Sequence, residues 1–221
     1  MQMNGNATVS SGPTGLQLSP KWERLPDLKI VQETVNALNH RGIQAELVPD
    51  RPAALSRLIE LIPAGAEVMT GGSRTLDEIG FTELLKSDSR GWKNLKAAVL
   101  AETDPAKQME LRKRSMLSEY FLGSVHAVTL SGEVVVASAG GSQLSAYAYG
   151  AQNLIWVVGT QKIVPGLEDA VKRVREYSLP LEDQRMKSAG FAGSYIGKML
   201  IFEKETRRSV HLIFVNEQLG F

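Results

Sequence analysis

Val68-Met69-Thr70-Gly71-Gly72-Ser73-Arg74-Thr75-Leu76 and Val136-Ala137-Ser138-Ala139-Gly140-Gly141-Ser142-Gln143-Leu144 follow one grammar. Each passes from a short apolar run through two glycines and a serine into a helical pattern. A third run, Leu154-Ile155-Trp156-Val157-Val158, is apolar throughout, turns at Gly159-Thr160 and reaches Lys162. Continuous apolar runs of this length, without polar alternation, mark strands covered on both faces, as in a parallel sheet. Strands that leave through glycine turns into helices predict an α/β fold: a layered, mostly parallel sheet flanked by helices.

The flanking sequence supports that reading. Leu28, Val31, Val35 and Leu38 recur at three- and four-residue spacing and predict an amphipathic helix, closed near Arg41-Gly42 by a left-handed glycine. Residues 43–48 read as a strand, 52–62 as a helix stopped by Pro63-Ala64-Gly65, and 66–70 as the strand entering the first glycine turn. A long helix is expected over 105–120 with Asp104 as its N-cap. Residues 124–130 and 133–139 read as strands of a hairpin around Ser131-Gly132. The second glycine turn opens a helix to Tyr149, and 167–177 reads as a helix with Arg and Lys outward. Residues 189–197 read as a loop. Residues 198–203 and 209–215 read as a C-terminal hairpin around Glu205-Thr206-Arg207-Arg208. Residues 1–20, rich in Asn, Gly, Ser, Thr and Pro, are expected to form a mobile arm, and 21–221 a single domain.

Composition narrows the function. Hydrophobic residues make up 43% of the 221 and charged residues 22%, values of an ordinary globular chain rather than a fibrous one. Twenty-five basic residues against 24 acidic give a net charge of +1, so no general attraction to nucleic acid or an anionic membrane is expected. Cysteine is absent, which removes thiolate chemistry and iron–sulfur ligation by this chain. No apolar stretch reaches bilayer length and no secretory signal pattern opens the chain, so a soluble, cytoplasmic protein is expected.

In an open α/β sheet, turns of this kind gather at the carboxyl edge of the strands, where ligands bind. Free N–H groups at helix starts favour anions there. The candidate anion-binding set is therefore Gly71, Gly72, Ser73 and Arg74, with Gly140, Gly141, Ser142 and Gln143, and Gly159 with Lys162. Neither turn has Walker or dinucleotide spacing. Against this stand plainer roles: Ser73 and Ser142 as helix caps, and Arg74 paired with Asp77 or Glu78. His40, His126 and His211 are the only histidines and lack metal-ligand spacing, so no metal site is expected and His126 and His211 read as core or sheet-face residues. Carboxylates are left as the candidate catalytic groups: Glu133 at a strand start, against a role as a charged hairpin residue, with Glu102, Glu110 and Glu119 on or near the long helix. Tyr147, Tyr149, Trp156 and Trp92 read as core or subunit contacts, which leaves room for a homo-oligomer.

Together, the run 115–129, Gly132-Glu133-Val134-Val135, the run 149–164 and Ala170-Val171-Lys172-Arg173-Val174-Arg175 resemble the LUD-domain proteins, a family that includes the lactate utilization protein C group. The segment 71–80 resembles that family's Gly-Ser-Thr-Leu-Glu turn. The resemblance covers roughly 28–188. It implies a fold similar to the sugar-phosphate isomerase, glucosamine-phosphate deaminase and CoA-transferase superfamily. It also implies a part in oxidising L-lactate to pyruvate beside iron–sulfur partner subunits, with no cofactor bound by this chain. The family's Gly-Asn-Arg is replaced here by Gly141-Ser142-Gln143, and the superfamily's catalytic acid, base and glutamate motifs have no counterpart. The leading expectation is an accessory or ligand-binding component that holds a small organic acid or phosphorylated anion. An enzyme acting on a sugar-phosphate, folate or CoA substrate is the alternative, and a scaffold with purely structural glycines the third.

Overall fold

The computed structural model describes residues 18–221. Most of the expected 1–20 arm lies outside the described residues; Leu18 packs against a core cluster and Pro20–Trp22 forms a 3₁₀ turn. The elements, in order, begin with α1 (Leu28–His40), β1 (Gln44–Val48), α2 (Arg51–Leu61), β2 (Glu67–Thr70), α3 (Arg74–Glu78), α4 (Phe81–Lys86), β3 (Lys93–Asn94), α5 (Leu95–Ala101) and α6 (Pro105–Ser115). They continue with β4 (Tyr120–Gly123), β5 (Ala127–Thr129), β6 (Val134–Ser138), α7 (Ser142–Ser145), β7 (Asn153–Gly159), β8 (Ile163–Val164), α8 (Leu167–Arg173), α9 (Leu179–Ser188), β9 (Lys198–Phe202) and β10 (Ser209–Val215). Both α7 and α8 run on into π-helical turns, Ala146–Gly150 and Val174–Ser178.

Of the three apolar runs, the one before the second glycine turn is β6 of a separate sheet, paired antiparallel with β5 and β9. The other two, in β2 and β7, become interior strands of a six-stranded, wholly parallel sheet of order β1-β10-β7-β4-β2-β3. Period-two alternation divides its side chains between two cores. Leu154, Trp156 and Val158 with Val210, Leu212 and Phe214 face one side, where α1 packs. Ile155 and Val157 with Ile213 and Val215 face the other, where α2 to α4 supply Leu58, Leu76 and Phe81. Strands buried on both faces cannot afford polar positions, which is why β7 and β10 are nearly continuous Leu, Ile and Val.

A second sheet of order β8-β5-β6-β9 lies on the α1 side. Its hairpin turns at Ser131-Gly132, as the sequence predicts. Gly132 has φ +92°, and a Cβ there would press on the backbone of Ala37 and Leu38 at about 3.0–3.1 Å, so only glycine lets the hairpin sit against α1. Trp156 joins the sheets: its ring meets Tyr147 at 5.5 Å and Phe202 at 5.0 Å, both edge-on.

Three expectations are corrected. Residues 198–203 and 209–215 do not form a hairpin. β9 pairs antiparallel with β6 in the small sheet, and β10 inserts between β1 and β7 in the large one. Val210, Leu212, Ile213, Phe214 and Val215 are all fully buried, a pattern that only a central strand satisfies. The 105–120 helix stops at Ser115, whose hydroxyl bonds back to Leu111 O at 2.7 Å, and Tyr120–Gly123 becomes a central strand. The 167–177 helix does not turn all its cations outward, because Arg173 is completely buried.

Candidate functional site

A cleft of about 600 Å³ opens where the two sheets' strand ends approach each other. The first glycine turn contributes Gly72, Ser73 and Arg74, and the second contributes Gly140, Ser142 and Gln143. Lys162 follows from the end of β7, Ser124 and His126 from the end of β4, and α9 forms a further wall. The two turns touch: a Cβ on Gly71 would lie 2.7 Å from Gln143 Oε1. Gly71 itself lines a smaller adjoining hollow of about 130 Å³, between Lys96, Arg112 and the apolar side chains of Met69, Val99 and Phe121.

Two glycines of the expected set line neither space. Gly159 lies under the C-terminal segment, where a Cβ would meet Glu217 O and Leu219 N at 2.6 and 2.7 Å. Gly141, at φ +91°, lies under the Lys198 side chain. Glu133 is not at the cleft either. It accepts hydrogen bonds from Thr129 and from Ser131 (2.6 Å) and is ion-paired with Arg41, which also bonds Ser131 O at 2.7 Å. Burial alone would raise its carboxyl, but those hydroxyl bonds and the Arg41 charge hold it below the usual carboxylate range. It serves as the bolt between α1 and the hairpin.

The plainer roles also hold for part of the set. Ser73 caps α3 by accepting from Leu76 N at 3.3 Å, and Arg74 pairs with Glu78 at 3.4 Å. The helices after the glycine turns are short: α3 has five residues and α7 four. Such pieces carry little of the aligned dipole that a helix start offers an anion, and side-chain cations take that part. Arg74, Lys96, Arg112, Lys162 and Arg185 line the cleft against the carboxylates of Asp77 and Glu182. Arg185 is paired with Glu182 at 2.6 Å. Lys96 donates to Gly71 O at 3.0 Å, and its burial lowers its pKa.

Lys162 is the group at the cleft base. It is 1% exposed, and its Nζ donates to Thr75 Oγ1 at 3.3 Å and Ser124 Oγ at 3.2 Å. Burial first, then the Arg173 charge, lowers its pKa to about 7, with Glu78 pulling weakly the other way. His126 accepts the Ala137 N–H on Nδ1 at 3.1 Å, so its neutral ring carries the proton on Nε2. Burial, Lys162 and Arg173 push its pKa down to about 3. Arg173 stands behind both, donating to His126 O, Ser178 Oγ and Trp22 O and stacking over the Tyr177 ring at 4.9 Å. The cleft floor is thus a cluster of donors with no carboxylate in ion-pair range of Lys162 or Arg173 among the described residues.

The sequence points to Lys162 and to parts of both glycine turns, but not to Lys96, Arg112, Arg185 and His126, as residues that line the cleft. The run Glu110-Leu111-Arg112-Lys113-Arg114 reads as a solvated helix face, and most of it is one. Only the fold shows that Arg112 alone of its cations reaches the cleft. Among the described residues no three His, Asp or Glu side chains gather in a way that could hold a metal ion. No helix among them is long and apolar enough to cross a membrane.

The chain is similar to several solved structures. A structure of a DUF162 family protein from Deinococcus radiodurans is 13% identical, with a TM-score of 0.48, over 87% of this chain and 98% of that one. The eIF2B delta structure from Chaetomium thermophilum is 12% identical with a TM-score of 0.36, over 66% of this chain and 59% of that one. Ribose 5 phosphate isomerase A from Neisseria gonorrhoeae is 14% identical with a TM-score of 0.33, over 71% and 76%. A search of curated proteins gives no match. The model of the LUD domain matches residues 31–212, from the first turn of α1 into β10, and so takes in both glycine turns, Lys162 and both sheets. The chain therefore belongs to the LUD domain family.

Proposed function

We propose that the cleft binds a small organic acid or a phosphorylated anion, and that the chain is an accessory or ligand-binding component of lactate utilization working beside iron–sulfur partner proteins. The observation that supports the binding is the imbalance of charge: Arg74, Lys96, Arg112 and Arg185 line one cleft against the side-chain carboxylates of Asp77 and Glu182, with Lys162 at its base. Arg112 is exposed and has no ion-pair partner among the described residues, so it is free to meet an incoming anion. The floor donors from Lys162 and His126 would then hold the anion's oxygens with little rearrangement. The metabolic setting is supported by the family resemblance alone.

Melting temperature is the test. Inorganic phosphate, L-lactate and simple phosphate esters are titrated against the wild type and Arg112→Ala. A ligand at 100 times its Kd adds about 2.7 kcal/mol. Wild type is expected to be stabilised by at least one of these, and Arg112→Ala to need several-fold more of it. No shift with any of them would end the reading. Co-purification with an iron–sulfur protein tests the partner half.

A further inference from the structure

We propose that Lys162 is a covalent attachment point: the cleft takes a carbonyl compound that carries an anionic group and holds it as an imine on the Lys162 side chain. This rests on the anion-binding reading of the same cleft and adds the class of ligand.

The argument begins with what Lys162 lacks. Taking an ammonium out of water is costly, and buried lysines are ordinarily compensated by a carboxylate. Lys162 is buried, yet its two partners are the hydroxyls of Thr75 and Ser124. Those hydroxyls bond each other at 3.3 Å and so do not depend on the amine's charge. Glu78, the acid that acts on Lys162 from a distance, is already engaged by Arg74 and by the Gly220 N–H at 2.8 Å. Arg173 adds a positive charge behind it. An ion-pairing role is therefore poorly served by this geometry, and a neutral amine is well served. The lowered pKa of about 7 agrees: near neutrality about half of the groups carry a free lone pair. This is the desolvated, cation-flanked setting that activates an amine toward carbonyls. His126 lines the same cleft as a neutral donor and brings no acid to reprotonate the amine.

The step balances without a further reactant. The Nζ lone pair forms a bond to the carbonyl carbon while the C=O π pair moves to oxygen. One proton passes from nitrogen to that oxygen, by way of the neighbouring hydroxyls. The C–O bond then breaks, the remaining N–H proton goes with the oxygen, and water leaves as the C=N bond forms. The cations at the cleft mouth hold the anionic group meanwhile.

The test is reductive trapping. The full chain is incubated with pyruvate or with glycolaldehyde phosphate, treated with borohydride and mapped by peptide mass spectrometry. The expected result is an adduct concentrated on Lys162, formed faster at pH 8 than at pH 6, slowed by excess L-lactate or inorganic phosphate, and lost in Lys162→Met. Which probe reacts tells a carboxylate from a phosphate ligand. Adducts spread evenly over surface lysines, or a trapped residue other than Lys162, would overturn the proposal. Mapping on the wild type suffices should Lys162→Met not fold. If lactate or phosphate raises the melting temperature while Lys162 stays unmodified, the imine fails and the binding reading stands. If neither ligand stabilises the chain and no probe reacts, both fail.

Discussion

Replacing Lys162 by Met should change the pH dependence of stability in a defined direction. The folded-state pKa of Lys162 is about 7, against 10.5 for an exposed lysine. Between those values the unfolded chain holds a proton that the folded chain has released, so stability rises with pH across the window. Below about pH 7 both states are protonated and the full cost of the buried ammonium is present. Each pH unit is worth about 1.4 kcal/mol, and because the group is half titrated at pH 7, the gain from pH 7 to pH 9 comes to about 2 kcal/mol. Met matches the lysine stem and removes the titration, and Thr75 and Ser124 keep their mutual bond. Urea unfolding of both proteins at pH 7, 8 and 9 is the assay. Other titrating groups are common to both and cancel in the difference. The wild-type midpoint should climb relative to that of Lys162→Met by about 1 M urea over this range, given a slope of about 2 kcal/mol/M. A difference that stays constant with pH, or moves the other way, refutes the claim that this amine is held near neutrality by burial without a counter-ion.

Three further outcomes follow from the same structure. His126 has its pKa depressed from 6.5 to about 3, so the stability it contributes is present above about pH 6.5 and lost as pH falls toward 3; acid unfolding followed by circular dichroism should be shallower in His126→Gln. Arg173→Met leaves the carbonyls of His126 and Trp22 without their donor in a buried site, and should cost roughly 2–4 kcal/mol by chemical denaturation. Gly141→Ala forces a Cβ into φ +91° and to 2.6 Å from the Lys198 chain, and should cost about 1–2 kcal/mol; an unchanged melting temperature would show that the turn relaxes freely.

Much of the fold is legible because it depends on local patterns. Leu154 to Val158 is apolar at every position, so a strand covered on both faces is forced, and Gly42 and Gly132 mark turns that only positive φ allows. The failures are of another kind. Tyr120–Gly123 is only four residues long and follows a helix without a proline or glycine between them, so nothing local separates it from the helix end. The C-terminal strands look like a hairpin because five to six residues lie between them, and sequence proximity says nothing about which sheet each joins. The site divides in the same way. Backbone turns announce themselves through glycine, whereas Lys96, Arg112 and Arg185 look like any solvated helix cation until the fold brings α5, α6 and α9 to one opening. Lys162 was found because it follows a buried strand, but its lack of an acid partner is visible only in three dimensions.

The place of β10 has a consequence for how the chain is made. Among the described strands β1 is the first to leave the ribosome and β10 the last, yet β10 separates β1 from β7 and is hydrogen-bonded to both. Until about residue 215 has emerged, β1 with its helix has no neighbour in the large sheet and the β7 edge stands open. Nascent chains therefore carry an unfilled slot lined by strand edges from the emergence of β7 until that of β10, a shape that invites pairing with the wrong strand. Completion of this sheet is an insertion rather than gradual growth, and a truncation that removes β10 cuts β1 off from the other four strands instead of trimming an edge.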